Sequence, residues 1–195
     1  VTGEKRAAAG TRPAGVAAED LVHADDRPGV TVRQDAVFRV GMGEYRVEAS
    51  PRRLLAFGLG SCVAVFLYGR EVSVGGLAHV MLPEGAGMRR GTAQPAKFAD
   101  LALDLMVEDL ARRGAVSDRL SAKLFGGANM FPMIDTGGRP PIGERNVVAV
   151  QEVLGRLGIL IAGADTGGEF GRTVEVDLAT GVATVKAWNR PTLRV

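Results

Sequence analysis

Leu54-Leu55-Ala56-Phe57-Gly58-Leu59-Gly60-Ser61-Cys62-Val63-Ala64-Val65-Phe66-Leu67-Tyr68 is the stretch on which the fold turns. Its apolar runs, Leu54–Phe57 and Val63–Tyr68, are too short for helices and rich in strand-forming residues. The second run is almost unbroken, so it reads as a buried strand. Between the runs lies Gly58-Leu59-Gly60-Ser61, nearly bare of side chains, followed by the only cysteine of the chain.

Outward from this stretch the pattern stays β-rich. Val37–Val40 and Tyr45–Val47 flank Gly41-Met42-Gly43-Glu44, which predicts a hairpin. Val72–Val74 and Leu77–Leu82 read as further strand, closed by Pro83, and Glu84–Thr92 reads as a glycine-rich loop. Two helices follow. The first opens at Pro95 and carries Phe98, Leu101, Leu105, Val107 and Leu110 as its apolar stripe, running to Arg113 before Gly114. The second carries Val147, Val150, Leu154 and Leu157 and ends at Gly158. Between them Ala122–Phe125 is a short strand opening into Gly126-Gly127-Ala128-Asn129. Ile159–Ala162 is another strand, and Thr173–Leu178 with Val182–Ala187 form a hairpin about Thr180-Gly181. Many strands with two long helices predict a mixed α/β layered domain over residues 36–195.

Residues 1–35 differ. They lack apolar periodicity and carry Lys5, Arg6, Arg12, Arg27 and Arg33 against Glu4, Glu19, Asp20, Asp25, Asp26 and Asp35, which reads as a flexible extension. Lys5-Arg6 before Ala7-Ala8-Ala9 hints at a signal peptide, but Arg12 and Pro13 cut the apolar stretch short. No later stretch approaches the ~18 apolar residues of a membrane span. The expectation is a cytoplasmic protein with no membrane insertion, in a compartment where a lone thiol survives.

Composition excludes several function classes. Of 195 residues 27 are glycine, about twice the usual ~7% share, so tight turns and close backbone approaches are expected. A net charge of +2 and 5% aromatics make a weak footprint for nucleic acid. One cysteine and two histidines rule out an intramolecular disulfide and a cysteine-rich zinc site and remove most metalloenzymes. The segment Gly58–Val63 lacks the third glycine and the following helix of a dinucleotide fingerprint, and no Gly-Lys-Ser/Thr phosphate loop is present.

What remains is thiol chemistry. A lone cysteine is ordinarily a small buried hydrophobe. Cys62, however, follows a turn where a substrate could approach closely and where backbone N–H groups, those of Gly60 and Ser61 among them, could converge on an oxyanion. His23 lies in the extension, so His79 is the only histidine of the domain. It sits in Leu77-Ala78-His79-Val80-Met81-Leu82, where strand alternation places it on one face with Leu77 and Met81. A core histidine bonded to a carbonyl is the plain alternative. A Cys62–His79 pair would lower the thiol pKa and supply a proton to the leaving group. Asp100, Asp104 and Glu108, four apart on the first helix, read as a solvated face, and Arg89-Arg90 and Arg112-Arg113 as surface pairs. Asp165-Thr166-Gly167-Gly168 reads as a turn between strands.

Six segments together carry a resemblance. They are Gly58–Val65, Ala78-His79-Val80-Met81-Leu82-Pro83, Lys97-Phe98-Ala99-Asp100, Gly126-Gly127-Ala128-Asn129-Met130, Ile142-Gly143-Glu144-Arg145-Asn146 and Asp165-Thr166-Gly167-Gly168. In order and spacing, from about Phe38 to Val185, the chain resembles the chemoreceptor glutamine deamidases of bacterial chemotaxis, the CheD family. The resemblance implies a three-layer α/β/β sandwich. It implies Cys62 as nucleophile and His79 as general base and acid, acting on the carboxamide of receptor glutamines without metal or cofactor. Gly60, Ser61, Gly126, Gly127 and Asn129 are the expected substrate or oxyanion loops. Methyl-accepting chemoreceptors are the expected partners, with a CheC-type phosphatase as a further one. One departure is visible. The family commonly carries a threonine six residues before the cysteine to orient the histidine, and Ala56 stands there. The competing readings are a non-catalytic adaptor that binds receptors or the phosphatase, and a cysteine peptidase.

Overall fold

The computed structural model describes residues 36–85, 94–133 and 137–195. The expected extension 1–35, Arg89-Arg90 and most of the Glu84–Thr92 loop lie outside these residues. In chain order the first strands are β1 (Val37–Arg39), β2 (Tyr45–Ala49), β3 (Arg53–Leu59), β4 (Val63–Gly69) and β5 (Val74–Val80). A 3₁₀ turn at Pro95–Lys97 leads into α1 (Ala99–Arg112), then β6 (Ser121–Gly126) and α2 (Ile142–Arg156). The chain closes with β7 (Leu160–Thr166), β8 (Arg172–Asp177), β9 (Ala183–Ala187) and β10 (Leu193–Arg194).

Two five-stranded sheets result, ordered β2-β5-β4-β6-β7 and β1-β3-β8-β9-β10. The first is the middle layer. Along β4 and β5 every residue is buried because both faces are covered. Val63, Val65, Leu67, Ala78 and Val80 share a core with Leu103, Met106 and Leu110 of α1 and Val150 and Leu154 of α2. The alternate residues Ala64, Phe66, Tyr68 and Leu77 pack with Leu54, Ala56, Val174 and Val176 of the second sheet. Helices, middle sheet and outer sheet therefore form the α/β/β sandwich that the resemblance implies.

The predicted first hairpin is wrong. β1 pairs in parallel with β3 in the outer sheet, whereas β2 pairs antiparallel with β5 in the middle sheet. Phe38 and Val40 bury between the sheets while Val47 packs on the helical side, and one flat hairpin cannot serve both layers. The further strand expected over Val72–Val74 and Leu77–Leu82 is β5, continuous from Val74 to Val80, with Val72 exposed in the turn before it. The β8–β9 hairpin forms as expected, with Val174 opposite Val185.

Both helices are where the pattern puts them. The expected stripe of α2 faces inward, with Val150 and Leu154 fully buried and Val147 and Leu157 packed against the same core, whereas α1 is turned. Ala99, Ala102, Leu103, Met106 and Leu110 bury from α1, while the expected Leu101, Leu105 and Val107 are only half-buried. Two alanines let the helix lie close to the sheet, so the larger side chains fall to the flanks. Pro95 opens the 3₁₀ turn rather than α1 itself. The acidic row is less solvated than expected. Asp104 pairs with Arg156 of α2 at 2.7 Å, and the Asp100 carboxylate accepts the Gly85 N–H at 3.1 Å.

Candidate active site

β3 belongs to the outer sheet and β4 to the middle sheet, so Gly60-Ser61-Cys62 carries the chain from one layer to the other at one end of the sandwich. The crossing is prepared by a bulge. Ala56 pairs with Val174 but Leu59 with Arg172, three steps on β3 against two on β8. Gly58 sits in this bulge at φ +69°, a left-handed conformation open to glycine. Cys62 is left half-exposed at the mouth of the inter-sheet layer.

His79 lies on the neighbouring strand, directly opposite Ala64. Cys62 lies just before β4, one residue outside the ladder, and packs against the same inter-sheet core as Ala64. The strand is held firmly, since His79 N–H donates to Glu44 O at 2.9 Å and Gly43 N–H donates to His79 O at 3.0 Å. The ring itself is buried, and neither Nδ1 nor Nε2 has a hydrogen-bond partner among the described residues.

Burial governs both ionisations. It pushes the Cys62 thiol above its ordinary value, opposed only by the residue's own backbone N–H beside the sulfur. It holds the His79 imidazole below 6.5, against the smaller opposing pull of the nearby Val40 backbone and the Glu44 carboxylate. Burial thus works against the lowered thiol pKa expected of a Cys–His pair. Both shifts favour the uncharged forms, among them an imidazole that can accept a proton.

The loop bearing Cys62 is anchored from below by the Gly126–Asn129 turn. Gly127 N–H donates to Cys62 O and Ala128 N–H to Gly60 O, both at 2.8 Å, while Asn129 N–H donates to Gly168 O at 2.8 Å. These N–H groups are engaged within the protein. Gly126, at φ +102°, passes so close that a β-carbon would stand 2.3 Å from Cys62 O. The Asp165–Gly168 segment is more than a turn: Gly167 N–H donates to Gly126 O, and the Asp165 carboxylate accepts Arg172 Nε–H at 2.8 Å, joining the two sheets.

Sequence reasoning passed over two residues of α2 as site components. Gly143 packs on the turn, with room for no β-carbon against Ala128 O at 2.5 Å. The fully buried Asn146 donates from Nδ2 to Ser61 O at 2.9 Å and to Met81 O at 3.0 Å. The available signal is a polar side chain on an apolar stripe: Gly143, Asn146, Val150, Val153 and Leu154 are the buried face of α2. Clefts of about 370 and 300 Å³ flank the first half of this helix, and neither is lined by Cys62 or His79.

A family model described as CheD chemotactic sensory transduction matches residues 81–187. A probable chemoreceptor glutamine deamidase CheD 2 of Geobacter metallireducens is 45% identical over 155 residues, covering 80% of this chain and 96% of that protein. The chain belongs to the CheD family. A probable chemoreceptor glutamine deamidase CheD of Desulforamulus reducens is 45% identical over 80% of the chain, and one of Pyrococcus abyssi 46% over 73%. Although the CheD model begins after His79, an alignment spanning 80% of the chain leaves too little outside it to miss positions 62 and 79. Among the described residues of this CheD protein, no helix is long and apolar enough to cross a membrane.

Proposed function

We propose that this chain is a chemoreceptor glutamine deamidase that works through a Cys62 thioester, with His79 as general base and acid. The observation that supports the reading is the place of the single thiol, at the mouth of the inter-sheet layer and just before the strand that pairs with the one carrying the single described histidine. The CheD relatives, named as probable chemoreceptor glutamine deamidases, supply the substrate class.

Neutral His79 takes the thiol proton as Sγ bonds to the carboxamide carbon of a receptor glutamine. The carbonyl oxygen becomes an oxyanion, for which the Cys62 N–H beside the sulfur is a donor. The C–N bond then breaks, the nitrogen takes the proton from the imidazolium, and ammonia leaves. Water attacks the thioester with its proton passing to His79, the C–S bond breaks, and the thiol is restored as glutamate departs. Water is the only co-reactant. Exposed Phe57 and Met130, the latter lying over Gly60, give an apolar helix face a landing surface beside the thiol. The cytoplasm, where a lone thiol stays reduced, is the proposed compartment.

A receptor segment incubated with the protein should gain about 1 Da at specific glutamines, the mass of an amide replaced by an acid. Cys62→Ala should abolish the gain. A second reading, an adaptor for receptors or a CheC-type phosphatase, draws support from Ala56 and from the unpartnered ring of His79. Receptor binding with unchanged mass would select it.

A further inference from the structure

The β4–β5 ladder ends at Val63 opposite Val80. Beyond that rung the chains diverge into the segment bearing Cys62 and the segment leaving His79, and no backbone pair joins them. The Asn146 carboxamide bridges the gap. One Nδ2 group donates both of its hydrogens, to Ser61 O at 2.9 Å and Met81 O at 3.0 Å, from a side chain with no exposed surface. Two carbonyl acceptors fix which end of the amide is nitrogen, and Oδ1 has no partner among the described residues.

The Ser61 carbonyl is half of a peptide plane whose other half is the Cys62 N–H. In a planar trans peptide, C=O and N–H point in opposite directions. An acceptor pinned toward α2 therefore turns the Cys62 N–H toward the opposite side, where the sulfur lies. The flanking carbonyls are pinned as well, Gly60 O by Ala128 N–H and Cys62 O by Gly127 N–H. Of these three clamps only that on Ser61 comes from a side chain, and only that one acts on the plane that carries the nucleophile's own N–H. A primary amide is an uncharged group that can hold two carbonyls at once. Aspartate has no donor, serine one, and leucine none.

We propose that Asn146 is a positioning residue: by holding Ser61 O against the Met81 end of the histidine strand, it aims the Cys62 N–H as the oxyanion donor. This rests on the thioester mechanism proposed above.

The test separates acyl chemistry, which needs an oxyanion donor, from alkylation, which does not. Asn146→Leu, Asn146→Ser and Asn146→Gln are compared with the unaltered protein in three measurements. These are the acylation burst with a p-nitrophenyl ester of a glutamate side chain, alkylation of Cys62 by iodoacetamide, and thermal melting. For folded Asn146→Leu we expect acylation to fall roughly a hundredfold, in the range seen when an oxyanion donor is lost. KM should stay within about twofold and alkylation within about threefold, the losses of one misaimed donor rather than of a binding face or thiol. Asn146→Gln, with both donors on a longer stem, should recover part of the loss, and Asn146→Ser, with one donor, should fall between. If Leu fails to fold, the Ser and Gln variants carry the same comparison. Acylation and alkylation falling in parallel, or a folded variant acylating at the original rate, would overturn the assignment. If the unaltered protein deamidates no receptor yet the ester pattern holds, the substrate reading fails and the role of Asn146 stands.

Discussion

Burial shifts Cys62 and His79 in opposite directions, and both shifts favour the uncharged pair. Iodoacetamide should therefore alkylate Cys62 slowly at neutral pH, and the rate should climb through an inflection above the ordinary thiol value. A fast, pH-independent reaction near neutrality would mean a thiolate–imidazolium pair instead. The same shift sets the acid limb of turnover. Because His79 stays neutral below 6.5, activity should persist to lower pH than an ordinary imidazole base allows. Ala56, fully buried in the same inter-sheet layer, offers the ring no hydrogen bond. Restoring a hydroxyl with Ala56→Thr should raise turnover per folded molecule a few-fold to about tenfold, the equivalent of ~1.4 kcal/mol of barrier. The added methyl fills a packed layer, so melting must be measured alongside. A folded variant with no gain would show that a hydroxyl at this position does not orient His79.

At the scale of elements, the site is a junction of turns rather than a pocket. The Gly126–Asn129 turn sits between the Cys62 loop, the Gly167-Gly168 turn and the first turn of α2. Gly126→Ala should be costly at both ends. Its left-handed backbone alone costs on the order of 1–3 kcal/mol, and the new β-carbon meets Cys62 O at 2.3 Å. The expected result is a lowered melting temperature together with at least a tenfold loss of turnover in the protein that remains folded. A stable variant with normal turnover would show that the turn does not hold the nucleophile's carbonyl. Elements with strong periodicity were legible in the sequence: β4, the β8–β9 hairpin and the existence of both helices. The inward face of α1 and the buried Gly143 and Asn146 of α2 were not, because small and polar residues such as Ala102, Gly143 and Asn146 carry little apolar signal although they occupy buried positions.

Across the whole molecule, stability and catalysis share His79. The folded state holds the ring neutral, while an unfolded chain protonates it near 6.5. The unfolded state then binds more protons as the pH falls, so this contribution to stability is present above about 6.5 and is lost on acidification below it. Urea denaturation at pH 5 and pH 7 should show a smaller difference for His79→Gln than for the unaltered protein. Equal differences would mean that the ring is protonated in the folded state as well. The three-layer arrangement makes this linkage possible, because helices on one face and the outer sheet on the other bury the strand that carries the histidine.

Residue types along the chain narrowed the candidates to one thiol after a bare glycine turn and one histidine in an apolar run, while the deamidase chemistry came from the order and spacing of six segments that resemble the CheD family. Local order revealed which segments are strands and which are helices. Only the tertiary structure decided that β1 and β2 part into different sheets, that burial pushes the thiol pKa up, and that Asn146 reaches Ser61 and Met81. The physical reason is the same in each case. Sheet partnership, desolvation and a hydrogen bond between residues 146 and 61 are set by what is packed alongside in space, and a local pattern of side chains does not record its neighbours across the core.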